Sequence, residues 1–317
     1  MTKDTIGVDI SKDHLDAYRT SDGKSRRFAN DTAGHRAFLD WLSQPDAHIV
    51  YEPTGPYHRA FERRLADVGC ALVKVNPRQA RRFAEATGKL AKTDRLDAAM
   101  LARMGAVLDL DARPVRRPVL NDLKDLHMAR EALVKNRTAA RNRAKTLTLA
   151  ILKRHNAEQL RQIGRQIAAI ESEIMAIVKA DPDLAGRFDI LVSIPGVSTI
   201  TAFALIIDMP ELGMLENGAA ASLAGLAPVA RQSGNRAARA FIRGGRANVR
   251  QALYMPALVA MRFNPELRAK YHQLKAGGKA SKLAITAIMR KLIVLANALL
   301  KDRRKWTKSF PSPKRIL

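Results

Sequence analysis

The chain has 317 residues and a formal net charge of +25, with 47% hydrophobic but only 5% aromatic residues. That length holds two globular domains and a connector, and a charge of that size points to a polyanionic partner, nucleic acid before all others. A lone Cys70 excludes an intrachain disulfide and a cysteine-built zinc site. The first residues lack a signal pattern and the longest apolar run, near 200–207, is too short for a bilayer, so we expect a cytoplasmic protein with no membrane segment.

The charge is unevenly placed. Residues 1–112 hold 18 Lys and Arg against 16 Asp and Glu, whereas residues 113–317 hold 37 against 14. Three regions are expected: an α/β domain over 1–112, a helical, coiled-coil-like connector over 113–182, and a mainly α domain over 183–317.

In chain order, residues 5–10 and 14–20 read as strands, and Asp22-Gly23 supplies a hairpin turn before a third strand through Phe28 and Ala29. Asn30 or Asp31 can cap a helix through Phe38 and Trp41, followed by the strand HIVYE, a helix over 57–68, a strand over 71–75 and a further helix. This order is the ribonuclease-H-like topology. The pleat of IGVDI sends Ile6, Val8 and Ile10 to one face and Gly7 and Asp9 to the other. Glu52 sits where a strand stops at the turn Pro53-Thr54-Gly55-Pro56, and Asp94 and Asp97 share one helix face. Together these four acids suit two magnesium ions about 3.5–4 Å apart, bracketing the oxygens of a phosphodiester. Singly, each has an ordinary explanation: Asp94 as a first-turn acid, Asp97 as a surface partner of Arg95 or Arg103. Asp9 is the exception, because an acid inside an apolar strand is costly unless it is paired.

Leu160, Ile163, Ile167, Ile170, Ile174 and Ile177 form a heptad-like seam. Leu123, Leu126, Leu133, Ala140, Ala144, Leu147 and Ile151 continue it, interrupted by Arg130 and Arg137, with a break expected near His155-Asn156. Self-association and ordinary core packing are equally open readings of this seam. Arg137 and Arg141 lie on its basic flank.

Further on, Ser193-Ile194-Pro195-Gly196-Val197 before an apolar helix resembles a helix-hairpin-helix element, which presents backbone amides to a phosphate. No Asp or Glu occurs between Glu216 and Glu266, while Arg231, Arg236, Arg239, Arg243, Arg246, Arg250 and Arg262 do. Inside this interval Gly234 permits a turn that would expose the Ser233 hydroxyl among guanidinium groups, although Ser-Gly-Asn is also an ordinary turn. Helices are expected over 248–261 and 281–300, and residues 301–317 read as a basic, partly disordered tail.

The blocks GVDISKDHLD, EPTGPY and KTDRLDA, followed by SIPGV, LAGLAPVARQSG and GGRANVRQALY, resemble the DEDD transposases of the insertion-sequence family numbered one hundred and ten. That family comprises bridge-RNA-guided DNA recombinases. The resemblance implies a RuvC-like domain whose metal-binding acids fall on Asp9, Glu52, Asp94 and Asp97, and a transposase domain whose nucleophile falls on Ser233. It also implies magnesium, a covalent phosphoserine, donor and target DNA, a structured guide RNA, and a dimer that assembles into a tetramer. Arg137, Arg141, Arg231, Arg236, Arg239 and Arg243 are the candidate nucleic-acid contacts. Two alternatives stand beside this reading. One is a Holliday-junction-resolvase-like endonuclease using the same metals and water; the other is a non-catalytic nucleic-acid-binding protein in which the acids are structural.

Overall fold

The computed structural model describes residues 4–42, 47–88, 94–112, 115, 117–233 and 236–307; at 94, 95 and 230–240 it describes the backbone alone. The chain forms two compact units, one ending at Arg117 and the other beginning at Pro118.

The first unit is built on a five-stranded mixed sheet. Its strands are β1 (Thr5–Ile10), β2 (His14–Arg19), β3 (Ser25–Ala29), β4 (His48–Tyr51) and β5 (Ala71–Lys74), in the spatial order β3-β2-β1-β4-β5. The first three form an antiparallel meander, and β4 and β5 run parallel to β1. This topology is consistent with a ribonuclease-H-like fold. The helices are α1 (Thr32–Trp41), α2 (His58–Asp67), α3 (Pro77–Ala86) and α4 (Asp94–Val107). Their ends follow from local chemistry. Asp31, not Asn30, caps α1 by accepting a hydrogen bond from the Gly34 amide at 2.7 Å, and Asn76 caps α3 ahead of Pro77.

Strand alternation divides this core into two layers. Ile6, Val8, Ile10, Leu15 and Tyr51 pack with Phe38, Phe61 and Leu65 of α1 and α2 on one face. Val50 and Val73 pack with Ala80, Met100, Leu101 and Met104 of α3 and α4 on the other. The Phe28–Phe38–Phe61 chain of edge-on rings, at centroid separations of 5.4 and 5.1 Å, fixes the first layer.

The second unit is mainly helical. It contains α5 (Pro118–Ala144), α6 (Ala150–Ala180), α7 (Pro182–Val192), α8 (Thr199–Asp208) and α9 (Asn217–Leu223), then a two-stranded hairpin of β6 (Pro228–Ser233) and β7 (Arg236–Ile242). The remaining helices are α10 (Ala247–Ala252), α11 (Tyr254–Phe263), α12 (Pro265–Ala276) and α13 (Ser281–Lys301). Leu120 and Leu123 of α5 and Ile174 and Val178 of α6 belong to the core of this unit, so one end of the long hairpin is part of a globular body.

Several expectations are corrected here. The break between the two long helices falls at residues 145–149, not at His155-Asn156. Asn156 is instead a buried helical residue whose Nδ2 donates to the Ala140 carbonyl at 3.2 Å, which removes the reason for a break. Arg130 does not interrupt the seam but fills it: it is 8% exposed and its Nε donates to Glu171 at 2.7 Å. Residues 228–233 and 236–242 form strands inside a domain read as mainly helical with a turn at Ser233, and the helix expected over 248–261 is two helices joined at Leu253. The start of the basic tail is tied down: the Trp306 amide donates to Ser193 Oγ at 2.8 Å, and Lys305 pairs with Asp189 at 3.2 Å. Residues 308–317 lie outside the described residues.

Helix α13 is long and apolar enough to cross a membrane. Most of its apolar residues, among them Ile288, Leu292, Ile293 and Leu299, are buried in the core of the second unit, the pattern of a central helix. Asn297 anchors it, accepting from the Gly213 amide at 2.8 Å and donating to the Leu215 carbonyl at 2.7 Å.

Candidate active site

Asp9 and Glu52 stand at the carboxyl ends of neighbouring parallel strands. Val8 pairs with Tyr51, so Asp9 is the next residue of β1, on the face away from the aromatic core, and Glu52 is the residue just after β4. Helix α4 covers that face at very close range. A Cβ on Gly7 would collide with the Ala98 carbonyl oxygen and the Ala102 amide, and one on Gly105 would collide with Val50. Thr5 is the other residue under Gly105, with its Cγ2 at 3.0 Å from that position.

These contacts fix the helix's register along the strand. Gly105 lies over Thr5 and the Ala98–Ala102 turn over Gly7, so two strand residues, about 6.6 Å, are matched by about five helix residues, about 7.5 Å. Two further strand residues lead from Gly7 to Asp9. The matching step back along α4 ends between Asp94 and Asp97. The register thus directs the first turn of α4 toward the end of β1 that carries Asp9. Carboxylate oxygens from three elements are the donor type that divalent magnesium prefers, so the residues fit such an ion. Among the described side chains no three acids, imidazoles or thiols already stand close enough to hold a metal; the Asp94 side chain lies outside them.

The surroundings contain features that the sequence reading missed. Asp16 is the direct cross-strand partner of Asp9, an arrangement that like charges oppose, and Arg27 on β3 engages Asp16 through two bonds of 3.0 and 2.9 Å. Asn30 ties together the loops that follow the two acid-bearing strands. Its Nδ2 donates to the Ser11 carbonyl at 2.8 Å and the Tyr57 carbonyl at 3.2 Å, and its Oδ1 pairs with His35 Nε2 at 2.9 Å. On the opposite face of β4, buried Glu62 binds Lys74 at 2.7 Å and lies 3.5 Å from His58. Burial, then the Glu62 carboxylate, pushes the neighbouring Tyr51 phenol up. Burial likewise pushes the His35 and His58 imidazoles down, so both are neutral at physiological pH.

In the second unit, Ser233 is the last residue of β6 and pairs with Arg236, the first of β7, so it stands at the hairpin tip. Residues 234 and 235 and the side chains of Ser233, Arg231, Arg236 and Arg239 lie outside what is described. Arg243 and Arg141 are exposed, and Arg137 is half-buried.

Two arginines of the acid-free interval have structural partners. Arg246 grips Glu211 through two bonds of 2.6 Å and donates to the Asp208 carbonyl at 2.8 Å, while Arg250 donates to the Gly244 carbonyl at 2.9 Å. Gly225 and Gly245 meet backbone to backbone beneath the hairpin, where a Cβ on either would collide with the other strand of the chain. The hairpin thus has a clamped base below the serine. Arg246 was legible only as one more basic residue, because its acidic partner is 35 residues earlier.

Comparison with known proteins decides the family. Residues 6–170 match the profile of the IS110 DEDD transposases, described as Transposase, and residues 188–272 match a second profile, Transposase IS116/IS110/IS902 family. The chain belongs to the IS110 transposase family. It is 27% identical to the pilin gene-inverting protein of Moraxella bovis over 97% of this chain and 99% of that one. It is also 30% identical to an uncharacterized insertion element IS110 protein of Streptomyces coelicolor, over 53% of this chain and 41% of the relative. An IS110-family transposase is an enzyme that cleaves and transfers DNA, and therefore binds it. Nucleases with a DEDD acid set typically use a divalent metal.

Proposed function

We propose that this IS110-family transposase is a site-specific recombinase that cuts and rejoins DNA through a covalent phosphoserine on Ser233. What supports the acidic half of this reading is the close packing of α4 on β1 and β4, at Gly7 of the strand and Gly105 of the helix, which directs the start of α4 toward the end of β1 that carries Asp9. Magnesium held by Asp9, Glu52, Asp94 and Asp97 would stabilise the negative charge that develops on the scissile phosphate and its departing oxygen.

Ser233 supplies the nucleophile. Its Oγ gives up a proton and forms a bond to phosphorus as the ester bond to one strand end breaks; the departing oxygen takes up a proton. In the reverse step a strand-end hydroxyl attacks the phosphoserine, and Oγ leaves. Each step exchanges one phosphoester for another, so rejoining needs no external energy source. A tip position suits this task, because a residue at a strand's end can reach a duplex that the hairpin base cannot. The Moraxella relative supports the reading, since inverting a gene requires cut ends to be rejoined.

In this reading the acids and the serine work in a dimer that assembles into a tetramer, in the cytoplasm, around a structured guide RNA that pairs with donor and target DNA. The α5–α6 hairpin, with its seam and its Arg137 and Arg141 flank, is the connector that grips the RNA. The α7–α8 turn, where Gly196 adopts φ +98° and Ser198 caps α8, is a helix-hairpin-helix-like phosphate contact. Arg231, Arg236, Arg239 and Arg243 hold phosphates beside Ser233.

The test is adduct trapping: purified protein, its flanking RNA, magnesium and labelled donor DNA, denatured and resolved for a protein–DNA species. We expect an adduct that is lost in Ser233→Ala and in Asp9→Ala. Equal nicking by wild-type and Ser233→Ala proteins, with no adduct, would replace this reading with the water-using endonuclease.

A further inference from the structure

A cavity of about 420 Å³ opens in the second unit between α5, the α7–α8 turn, α8, α10 and α11. Its volume falls in the range of small-ligand sites. The polar groups around it are Glu131, Ser198, Thr201, Asn248 and Gln251, with His127 in the wall. His127 is 4% exposed and its Nδ1 carries no hydrogen bond; Nε2 lies 3.7 Å from Asp208 Oδ2, which also lacks one. The remaining wall is apolar, with Ile200, Met255 and Val259 flanking the opening.

The chemistry of this lining selects its occupant. Glu131 in the wall disfavours a phosphate or carboxylate beside it, whereas Asp208 behind His127 is already paired with Lys124. Amide side chains and a carboxylate instead match the hydrogen-bonding edge of a nucleobase that bears an exocyclic amine. The thioether of Met255 and the aliphatic side chains suit its flat faces. The α10–α11 wall also belongs to the interval without Asp or Glu, where exposed Arg243 and Arg262 can hold the phosphates of a strand whose base enters.

We propose that this cavity captures one unstacked nucleobase with an exocyclic amine. The proposal rests on the DNA-handling part of the proposed function and is independent of Ser233. Such a pocket favours a strand that is already unpaired, because extruding a base from an intact duplex costs stacking and pairing.

The experiment uses the full chain and a mixed-sequence single-stranded oligonucleotide with 2-aminopurine in place of adenine, whose emission rises when the base unstacks. Anisotropy of an end label reports backbone binding separately. We expect an emission rise at saturation that falls by at least about threefold in Asn248→Ala/Gln251→Ala, with the anisotropy Kd changed by less than about threefold. Both residues are exposed, so the double variant is expected to keep its fold, checked by circular dichroism. Displacement of the emission signal by adenosine monophosphate at unchanged anisotropy would assign the cavity to a free nucleotide; resistance to it would assign the cavity to the bound strand. Binding with no emission change, or an equal change in the variant, would overturn the proposal. If anisotropy stays flat, the DNA-handling reading fails on its own, and calorimetric titration with adenosine monophosphate decides the cavity.

Discussion

Gly7 is the residue on which the proposed carboxylate site depends, although it carries no functional group. Any side chain there would push α4 off β1, since the atoms in its way are the backbone of Ala98 and Ala102 and have nowhere to yield. Gly7→Ala is expected to destabilise the first unit by about 1–3 kcal/mol, the usual cost of overpacking, and to lower DNA cleavage further than that loss explains. Chemical denaturation alongside a cleavage assay checks this, and an unchanged midpoint would show that α4 is not held as described. The sequence made Gly7 and Asp9 same-face neighbours through strand alternation alone. It did not make the helix contact legible, because two residues of one strand say nothing about what packs across them. Asn30 was a candidate cap for the same reason: its local position was visible, but its bonds to Ser11 and Tyr57 depend on the fold.

At the scale of elements, the α5–α6 hairpin shows how a buried ion pair replaces an apolar seam residue. Arg130 and Glu171 meet at 2.7 Å, with the arginine side chain 10% exposed and the glutamate 34%. Glu171→Ala is expected to cost about 1–3 kcal/mol, discounted for the solvent that reaches Glu171, because it leaves a mostly buried guanidinium with Glu131 alone. Replacing both by leucine is expected to be near neutral or stabilising. Thermal denaturation of the three proteins checks the order, and a double variant weaker than Glu171→Ala would contradict it.

The β6–β7 hairpin was illegible for a different reason. Its strands PVARQS and RAARAFI carry small and basic residues where β-branched alternation would signal a strand, so its identity comes from pairing and not from propensity. The break inside α10–α11 did have a signal, Pro256 in the first turn of α11, which the even apolar spacing on either side concealed. By contrast, β1, the Asp22-Gly23 turn and α6 were readable because period, turn chemistry and length agreed.

At the scale of the molecule, three histidines set a pH dependence, His35 and His127 buried and His58 half-buried. Burial lowers the pKa of His35, His58 and His127 below the ordinary 6.5. The unfolded chain therefore binds protons more readily, so their contribution is fully present above pH 6.5 and is lost as pH falls towards the folded-state values. The denaturation temperature is expected to drop between pH 7.5 and pH 5.5, with both units affected because His127 lies in the second. A flat profile would mean that these imidazoles are protonated without penalty.

Helix α13 is the last described helix and also the centre of its unit's core, meeting chain 84 and 82 residues earlier through Asn297, Gly213 and Leu215. A ribosome that has passed Ser233 has therefore made the proposed nucleophile but not the body that supports it. Any stop codon between the hairpin and α13 would leave a chain with every proposed chemical residue and no closed second core. In such a gene the reading frame must stay intact well beyond its last chemical residue for the product to fold.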